Sequence, residues 1–299
     1  MKREIHRPWL VQVELVRGCN MACKFCANVS LPKQKKFMSV DDAYEIASNL
    51  ADFGPRQRIA IGMRGEPTLH PDLCEITSIF KAIIPELQIT LITNGIKVDH
   101  KLVKEWFRAG GNIVAIDSYN NSYAKHKEKF FTAGVPTVDY RDFNIWTYHN
   151  STLKKVILIP DLEMDSATTR TFTNQCDYIP AAAYQRYGIS RPDYDNPLKK
   201  KCTLPFRELA IHYDGTVPLC CKDWLGKSTL YNVLEGDVKG YWFGCEQLNI
   251  IRTLLANKTR TFFPCNRCTY FGGYRQGFLP TMKTLNEAQI KSAVRRLNA

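Results

Sequence analysis

No stretch of this 299-residue chain is apolar for long enough to cross a membrane. The first nine residues carry Lys2, Arg3, His6 and Arg7 where an export signal would have an apolar run. These absences predict a soluble protein of the cytoplasm, where thiols stay reduced. No internal repeat and no long low-complexity segment is present. Acid is scarce: 29 Asp plus Glu face 41 Lys plus Arg, a formal net charge of +12. That balance predicts an acidic partner or a polyanion such as nucleic acid. The basic residues are dispersed in short runs, Lys199-Lys200-Lys201 among them, so a solvated basic surface explains the charge equally well. With 44% hydrophobic residues the chain can bury one large domain, or one domain with a satellite.

Cysteine is not scarce. There are eleven, an odd number, which in a reducing compartment suggests metal ligation more than disulfides. Cys19, Cys23 and Cys26 follow a C-x3-C-x2-C spacing, with Phe25 just before the last. No fourth Cys or His follows at ligand spacing, since the next histidine is His70. A structural zinc site closes at four ligands and is therefore disfavoured. Three thiolates on a short loop can hold three irons of a [4Fe-4S] cluster, leaving the fourth iron open to a small chelating ligand.

The apolar pattern predicts alternating strands and helices. Strands are expected at Val11–Val16, Ile59–Ile61, Ile89–Ile92 and Ile113–Ile116, and two more at Val135–Tyr140 and Val156–Ile159. Ser39 caps a helix through about Leu50, another runs from about Asp72 to Ile84, and Asp99 caps a third that stops at Gly110-Gly111. Thr284, with Glu287 three residues on, predicts a last helix. This order implies an α/β fold with a parallel sheet, whose chemistry collects at the C-terminal strand ends. The cysteine loop lies at the first such end. Met63-Arg64-Gly65-Glu66-Pro67 follows the second strand, Thr93-Asn94-Gly95 closes the third and Asp117-Ser118 closes the fourth. Each of the last two, taken alone, also reads as an ordinary βα turn with a helix cap.

The cysteine triplet followed by Gly65-Glu66-Pro67 resembles the radical SAM superfamily. Arg64 stands where that family's Gly-Gly-Glu-Pro motif has its first glycine. The resemblance covers about residues 9 to 270 and implies a partial (β/α)6 barrel, with a core at 9–160 (ending by about 195 at the latest) and a bridge at 161–201. It implies a [4Fe-4S] cluster on Cys19, Cys23 and Cys26, with Phe25 beside it, and S-adenosylmethionine (SAM) on the open iron. Gly65, Glu66 and Pro67 would then take the methionine end of SAM. Thr93 and Asn94 form a recurrent cofactor segment, Asp117 and Ser118 lie near the ribose, and Ile159 lies near adenine. The chemistry implied is reductive cleavage of SAM to a 5′-deoxyadenosyl radical and removal of a hydrogen atom from substrate, with a flavodoxin- or ferredoxin-type electron donor. Isomerase, oxidoreductase and bond-forming outcomes all stay open.

Cys202, Cys220, Cys265 and Cys268 resemble a SPASM/twitch extension over 202–270, followed by a helical tail at 271–299. This implies one auxiliary [4Fe-4S] cluster, with Asp214-Gly215 as a hairpin turn that brings Cys202 and Cys220 together. Four thiolates also suit structural zinc. Cys221 and Cys245 are alternatives to Cys220, and Cys74 and Cys176 read as buried, inert thiols. For the substrate, nucleic acid is favoured by the charge and by Tyr270-Phe271-Gly272-Gly273-Tyr274-Arg275, whose rings and Arg could stack bases. Size and charge are compatible with the phage enzymes that rearrange amino-acid adducts on thymine in DNA, which would place the protein in a host cytoplasm. The alternative substrate is a peptide or protein, although no extra peptide-binding domain is evident before Leu10. A non-enzymatic reading, a metal-stabilised nucleic-acid-binding protein, leaves the open-sited triplet beside Gly-Glu-Pro unexplained.

Overall fold

The computed structural model describes residues 5–23, 26–30, 34–119, 122–139, 154–159, 176, 178, 184, 191–270 and 282–298. Strand β1 (Leu10–Val13) opens the chain. A short antiparallel pair, β2 (Val16–Arg17) and β3 (Lys36–Phe37), then brackets the cysteine loop. Helix α1 (Val40–Ala51) starts where Ser39 accepts from the Asp42 amide at 2.9 Å. After it come β4 (Arg58–Ile61), α2 (Leu73–Ile83) and β5 (Gln88–Thr93). Helix α3 (His100–Arg108) is capped by Asp99, which accepts from the Leu102 amide at 2.7 Å. It is followed by β6 (Ile113–Asp117), α4 (Tyr123–Thr132), β7 (Thr137–Asp139) and β8 (Lys155–Ile159).

The C-terminal part adds α5 (Leu204–Arg207), β9 (Glu208–Ile211), β10 (Thr216–Val217), β11 (Tyr231–Asn232), α6 (Val238–Gly244), α7 (Glu246–Ala256) and α8 (Glu287–Asn298). Asn286 and Gln289 cap α8 reciprocally, each side chain accepting from the other's amide. The capping box expected at Thr284 and Glu287 is thus displaced by two residues.

Seven strands form one parallel sheet in the order β7-β8-β6-β5-β4-β1-β9. The six expected strands are all present in this α/β fold, with two departures from chain order. β8 pairs directly with β6, which leaves β7 at the edge. At the opposite edge β9 pairs with β1, Val11 opposite Leu209. The segment carrying Cys202 therefore feeds a strand of the core sheet. The turn at Asp214-Gly215 exists, closed by the His212 amide on the Thr216 carbonyl at 2.9 Å, but β10 pairs with β11.

Buried on both faces, the strands are nearly continuous in Val, Ile and Leu. Val13, Ile61, Ile89, Val114, Val156 and Ile211 pack in one core with Ile46 and Leu50 of α1, Phe80 of α2 and Trp106 of α3. Burying a side chain of that size contributes roughly 1.5–3 kcal/mol. The same core continues into Val217, Val233, Trp242 and Leu254, so no solvent-filled boundary separates the C-terminal part. Trp242 Nε1 donates to the His6 carbonyl at 2.8 Å, and the Trp9 amide donates to the Arg207 carbonyl at 2.7 Å, which ties the N-terminal segment to the C-terminal part.

Candidate active site

The C-terminal ends of β1, β4, β5 and β6 converge on one pocket. Its walls carry Cys19, Cys23 and Cys26, then Gly65 and Glu66, then Thr93 and Asn94, then Asp117. Met21, Asn28, Gly62, Met63, Arg64, Ile92 and Tyr119 complete it. About 590 Å³ of space lies within these walls, part of it open to solvent and within the range of small-molecule sites.

Backbone packing brings the cysteine loop onto the Gly-Glu-Pro turn. The Glu66 amide donates to the Gly18 carbonyl at 2.9 Å. A Cβ on Gly65 would lie 1.9 Å from the Val16 carbonyl oxygen and 2.6 Å from that of Gly18. Only glycine permits this approach. Next to it Met63 holds φ at 80°, a left-handed conformation that is strained in a non-glycine residue.

Glu66 is buried, and its carboxylate is engaged by this chain's own donors. Oε1 accepts from the Thr68 amide (3.1 Å) and from the hydroxyls of Thr68 and Thr93 (2.6 Å each), and Oε2 accepts from the Asn94 amide (2.8 Å). A carboxylate offers about four acceptor sites. Three donors meet Oε1 and one meets Oε2, so the side chain laces the β4 turn to the end of β5. Asn94 in turn donates through Nδ2 to Asn20 Oδ1 (2.8 Å) and to Cys19 Sγ (3.6 Å), which carries the lacing to the cysteine loop.

Asp117 faces the pocket beside Tyr119. Burial pushes its carboxyl up to about 6, opposed by the Tyr119 hydroxyl and aided by the charge of Glu66. Ser118 is fully buried, bonded to His126 Nδ1 at 3.0 Å, and stands behind the wall; its amide donates to the Ile159 carbonyl. Ile159 ends β8 opposite Asp117 and is not part of the lining. Pro67 is buried in the turn. Phe25 lies outside the described residues.

The donor set suits a cluster. Backbone amides two residues downstream already point at sulfur: Met21 at Cys19 and Asn28 at Cys26, both at 3.4 Å. Such bonds stabilise thiolate charge and tune iron–sulfur sites. Burial holds all three thiols above their ordinary range, Cys26 at about 11, so a metal taking them must displace protons.

A second group of cysteines gathers around Cys268. Cys202 precedes α5, Cys220 closes the β10 loop, and Cys265 and Cys268 bracket a single helical turn. The Tyr270 amide points at Cys268 Sγ at 3.4 Å, repeating the arrangement of the first loop. Buried Arg260 fixes the surrounding chain, donating to the carbonyls of Lys200 (2.9 Å), Lys201 (3.1 Å) and Tyr270 (2.6 Å). Cys176, expected to be an inert thiol, belongs to this group. It donates to Cys268 and also feels Cys220 and Cys265. Cys268 is pulled down to about 6, chiefly by the bond from Cys176 and further by the charges of Arg260 and Lys222. Cys221 turns toward Glu208, its sulfur 3.7 Å from Oε2, and Cys245 sits at the α6–α7 junction. Cys74 is half-buried on α2. Among the described residues no three His, Cys, Asp or Glu side chains converge as they would around a single metal ion.

The family model of the radical SAM superfamily matches residues 13–140. GTP 3′,8-cyclase of Chlorobaculum tepidum is 30% identical over 92 residues, 31% of this chain and 27% of that protein. The match thus spans about a quarter of that relative's length. In fold the chain is similar to BtrN in its complex with AdoMet and 2-DOIA, at a TM-score of 0.65 and 18% identity over 88% of this chain and 93% of that one. It is also similar to anSMEcpe with bound AdoMet and Cp18Cys peptide, at 0.53 and 13% identity over 97% and 96%. Among the described residues no helix is long and apolar enough to cross a membrane.

Sequence reading missed Arg64 as a wall residue, together with its partner Glu14. A charged residue where the motif has glycine was the available signal. Tyr119 and Asn28 carried none beyond lying next to a motif.

Proposed function

We propose that the protein is a radical SAM enzyme whose first cluster is held by Cys19, Cys23 and Cys26. The observation that carries this reading is three half-buried thiols, with amides aimed at two of them, facing a pocket built from four consecutive strand ends. The bound cluster and SAM supply the electron transfer, the cleavage to methionine and 5′-deoxyadenosyl radical, and the hydrogen abstraction. The chain's part is to bind, orient and exclude water. Gly65 lets the turn approach the cluster loop, Glu66 holds Thr93 and Asn94 in place, and Asp117 offers a carboxylate to the ribose. Ile92 and Met63 give the wall apolar surface for the rest of the cofactor. Cys202, Cys220, Cys265 and Cys268 would hold the auxiliary cluster, since four thiolates are the donor set that one such cluster takes. A flavodoxin- or ferredoxin-type donor would supply the electron.

The test is anaerobic reconstitution, iron and zinc analysis, and SAM cleavage with a strong reductant. About eight irons per chain and release of 5′-deoxyadenosine are expected, falling to about four irons without cleavage when Cys19, Cys23 and Cys26 are all Ala. Iron and cleavage that survive the triple change would overturn the reading, and zinc in the second site would remove its redox role.

For the substrate, the nucleic-acid reading, an amino-acid-modified thymine in DNA, is supported by the +12 charge and by exposed Lys199, Lys200 and Lys201. The stacking stretch at 271–275 lies outside the described residues. The competing reading, a peptide or small molecule, is supported by what BtrN and anSMEcpe were solved with: 2-DOIA and a Cp18Cys peptide. A salt series separates them. DNA binding falls steeply with salt through counterion release, by about one power of salt concentration per phosphate contact. DNA binding that ignores salt, or none above a peptide control, leaves the peptide or small-molecule reading.

A further inference from the structure

We infer that Arg64 and Glu14 are positioning residues that seat the Cys220–Gly226 loop on the Cys26 loop, so that the first cysteine site takes its shape only when the C-terminal part is docked. The inference rests on the reading of both cysteine sites given above.

Arg64 stands in the Gly-Glu-Pro turn where the resembled motif has no side chain. Its guanidinium is buried and grips Glu14 two-pronged: Nε to Oε1 at 2.8 Å, and Nη2 to Oε2. Glu14, fully buried, directly follows β1. Neither group is satisfied within the core alone. The remaining arm of Arg64, Nη1, donates to the Trp224 carbonyl at 3.1 Å. Glu14 Oε2 accepts in addition from the Tyr213 amide at 3.2 Å. Two backbone groups of the C-terminal part therefore complete a charge pair rooted in the core. Burial pushes the Glu14 carboxyl above the usual range, while Arg64 and the Tyr213 amide oppose it. If the loop lifted away, the charge pair would lose the Trp224 carbonyl and open to water, while the Tyr213 amide, in the turn between β9 and β10, would stay in place.

Trp224 gives the pair its bearing on the site. It packs with Ala27, the residue after Cys26, and Cys26 lies against these two residues, so Trp224 sits beside one ligand of the first cluster. Its loop begins at Cys220, a ligand of the second. Asp223, buried in that loop, holds the turn through the Ser228 amide (2.8 Å) and the Lys227 amide (3.3 Å). From Cys220 to Trp224 is four residues, and from Trp224 to the Gly-Glu-Pro turn is one hydrogen bond. The two cysteine sites are thus joined by a short, buried and polar route through Arg64.

The test uses the full chain in wild-type form, as Arg64→Gly, which restores the motif, and as the double variant Glu14→Met with Arg64→Met. The double variant fills the space without leaving an unpaired charge, so it separates positioning from folding. Trp224 is read by acrylamide quenching, with the Trp224→Phe protein subtracted to remove the other four tryptophans. Iron content, the electron paramagnetic resonance signal of the reduced first cluster with and without SAM, and SAM affinity are measured in parallel. Both variants should keep their fold, expose Trp224 to quencher, weaken SAM binding roughly fivefold or more and alter the SAM-dependent change in the signal. A folded double variant with Trp224 as protected as in wild type, and with unchanged SAM affinity, would overturn the inference. Wild-type protein that binds neither iron nor SAM would refute the reading of the sites instead. Quenching in the metal-free chain then still decides whether Arg64 seats the loop.

Discussion

Replacing Gly65 by Ala tests how tightly the Gly-Glu-Pro turn is pressed against the cysteine loop. The added Cβ would sit 1.9 Å from the Val16 carbonyl oxygen, 2.8 Å from its carbon and 2.6 Å from the Gly18 oxygen, where real contacts do not fall below 3.0 Å. Every clashing atom is backbone, so no side chain can rotate away. The two segments must part by about 1 Å, which also stretches the bond from the Glu66 amide to the Gly18 carbonyl. Overpacking of this kind costs about 1–3 kcal/mol and a weakened hydrogen bond about 1 kcal/mol more. For a chain of this length each kcal/mol lowers Tm by about 2–4 °C, so a fall of roughly 5–15 °C is expected. Gly18 is adjacent to Cys19, so the shift reaches the cysteine loop directly, and a displacement of about 1 Å can slow a reaction about a hundredfold. Calorimetry, iron content and SAM cleavage measure the three effects. Gly244→Ala, in α6 with nothing within 4 Å of its added Cβ, is the control and should stay at or above wild-type stability. If Gly65→Ala melts within about 2 °C of wild type and cleaves SAM at the wild-type rate, the close approach does not govern the site.

Glu66→Ala should destabilise by about 3–5 kcal/mol in denaturant unfolding, since it strips the acceptor from four donors around a buried carboxylate; a wild-type midpoint would show that the lacing is idle. Asp117→Asn should be the more stable form at pH 8, by up to about 3 kcal/mol, because ionising a buried carboxyl raised from 3.8 to about 6 disfavours the wild-type fold as pH climbs through that window. The advantage should vanish below the unfolded value, where Asp117 is neutral in both states, and a pH-independent difference would refute it. Cys268→Ala should keep about eight irons if Cys176 takes the empty corner, and lose about four when Cys176→Ala is added; four irons already missing in the single variant would show that Cys176 only donates a hydrogen bond.

What was legible in the sequence is what local physics decides. Ser39 and Asp99 cap their helices because a short side-chain oxygen two or three residues ahead of a free amide needs nothing from the rest of the fold. The parallel strands read as apolar runs because both faces are covered. The α8 cap slipped by two residues because Thr284, Asn286, Glu287 and Gln289 offer two competing boxes, and only packing chooses between them. Pairing across the sheet left no such trace: nothing in Val156–Ile159 says that it lies beside β6 rather than beyond β7, and nothing in Glu208–Ile211 says that it will lengthen the core sheet at β1. The cysteine group was legible where spacing is short, as in Cys265 and Cys268, and illegible at Cys176, whose partners lie at least 26 residues away in the chain. Arg64 is the instructive case. Within its own motif it is a misfit, a large charged side chain in place of glycine, and local reasoning could only record the mismatch. A charge at a wall position must find an opposite charge or leave the wall. Glu14, in the apolar run that ends β1, was the second misfit of the same kind. Two isolated charges in apolar strand-end contexts, 50 residues apart, are each unfavourable alone and are satisfied together. Two such paired misfits are a physical criterion for long-range contact, and here they lead to the junction where the C-terminal loop meets the pocket walled by the cysteine loop.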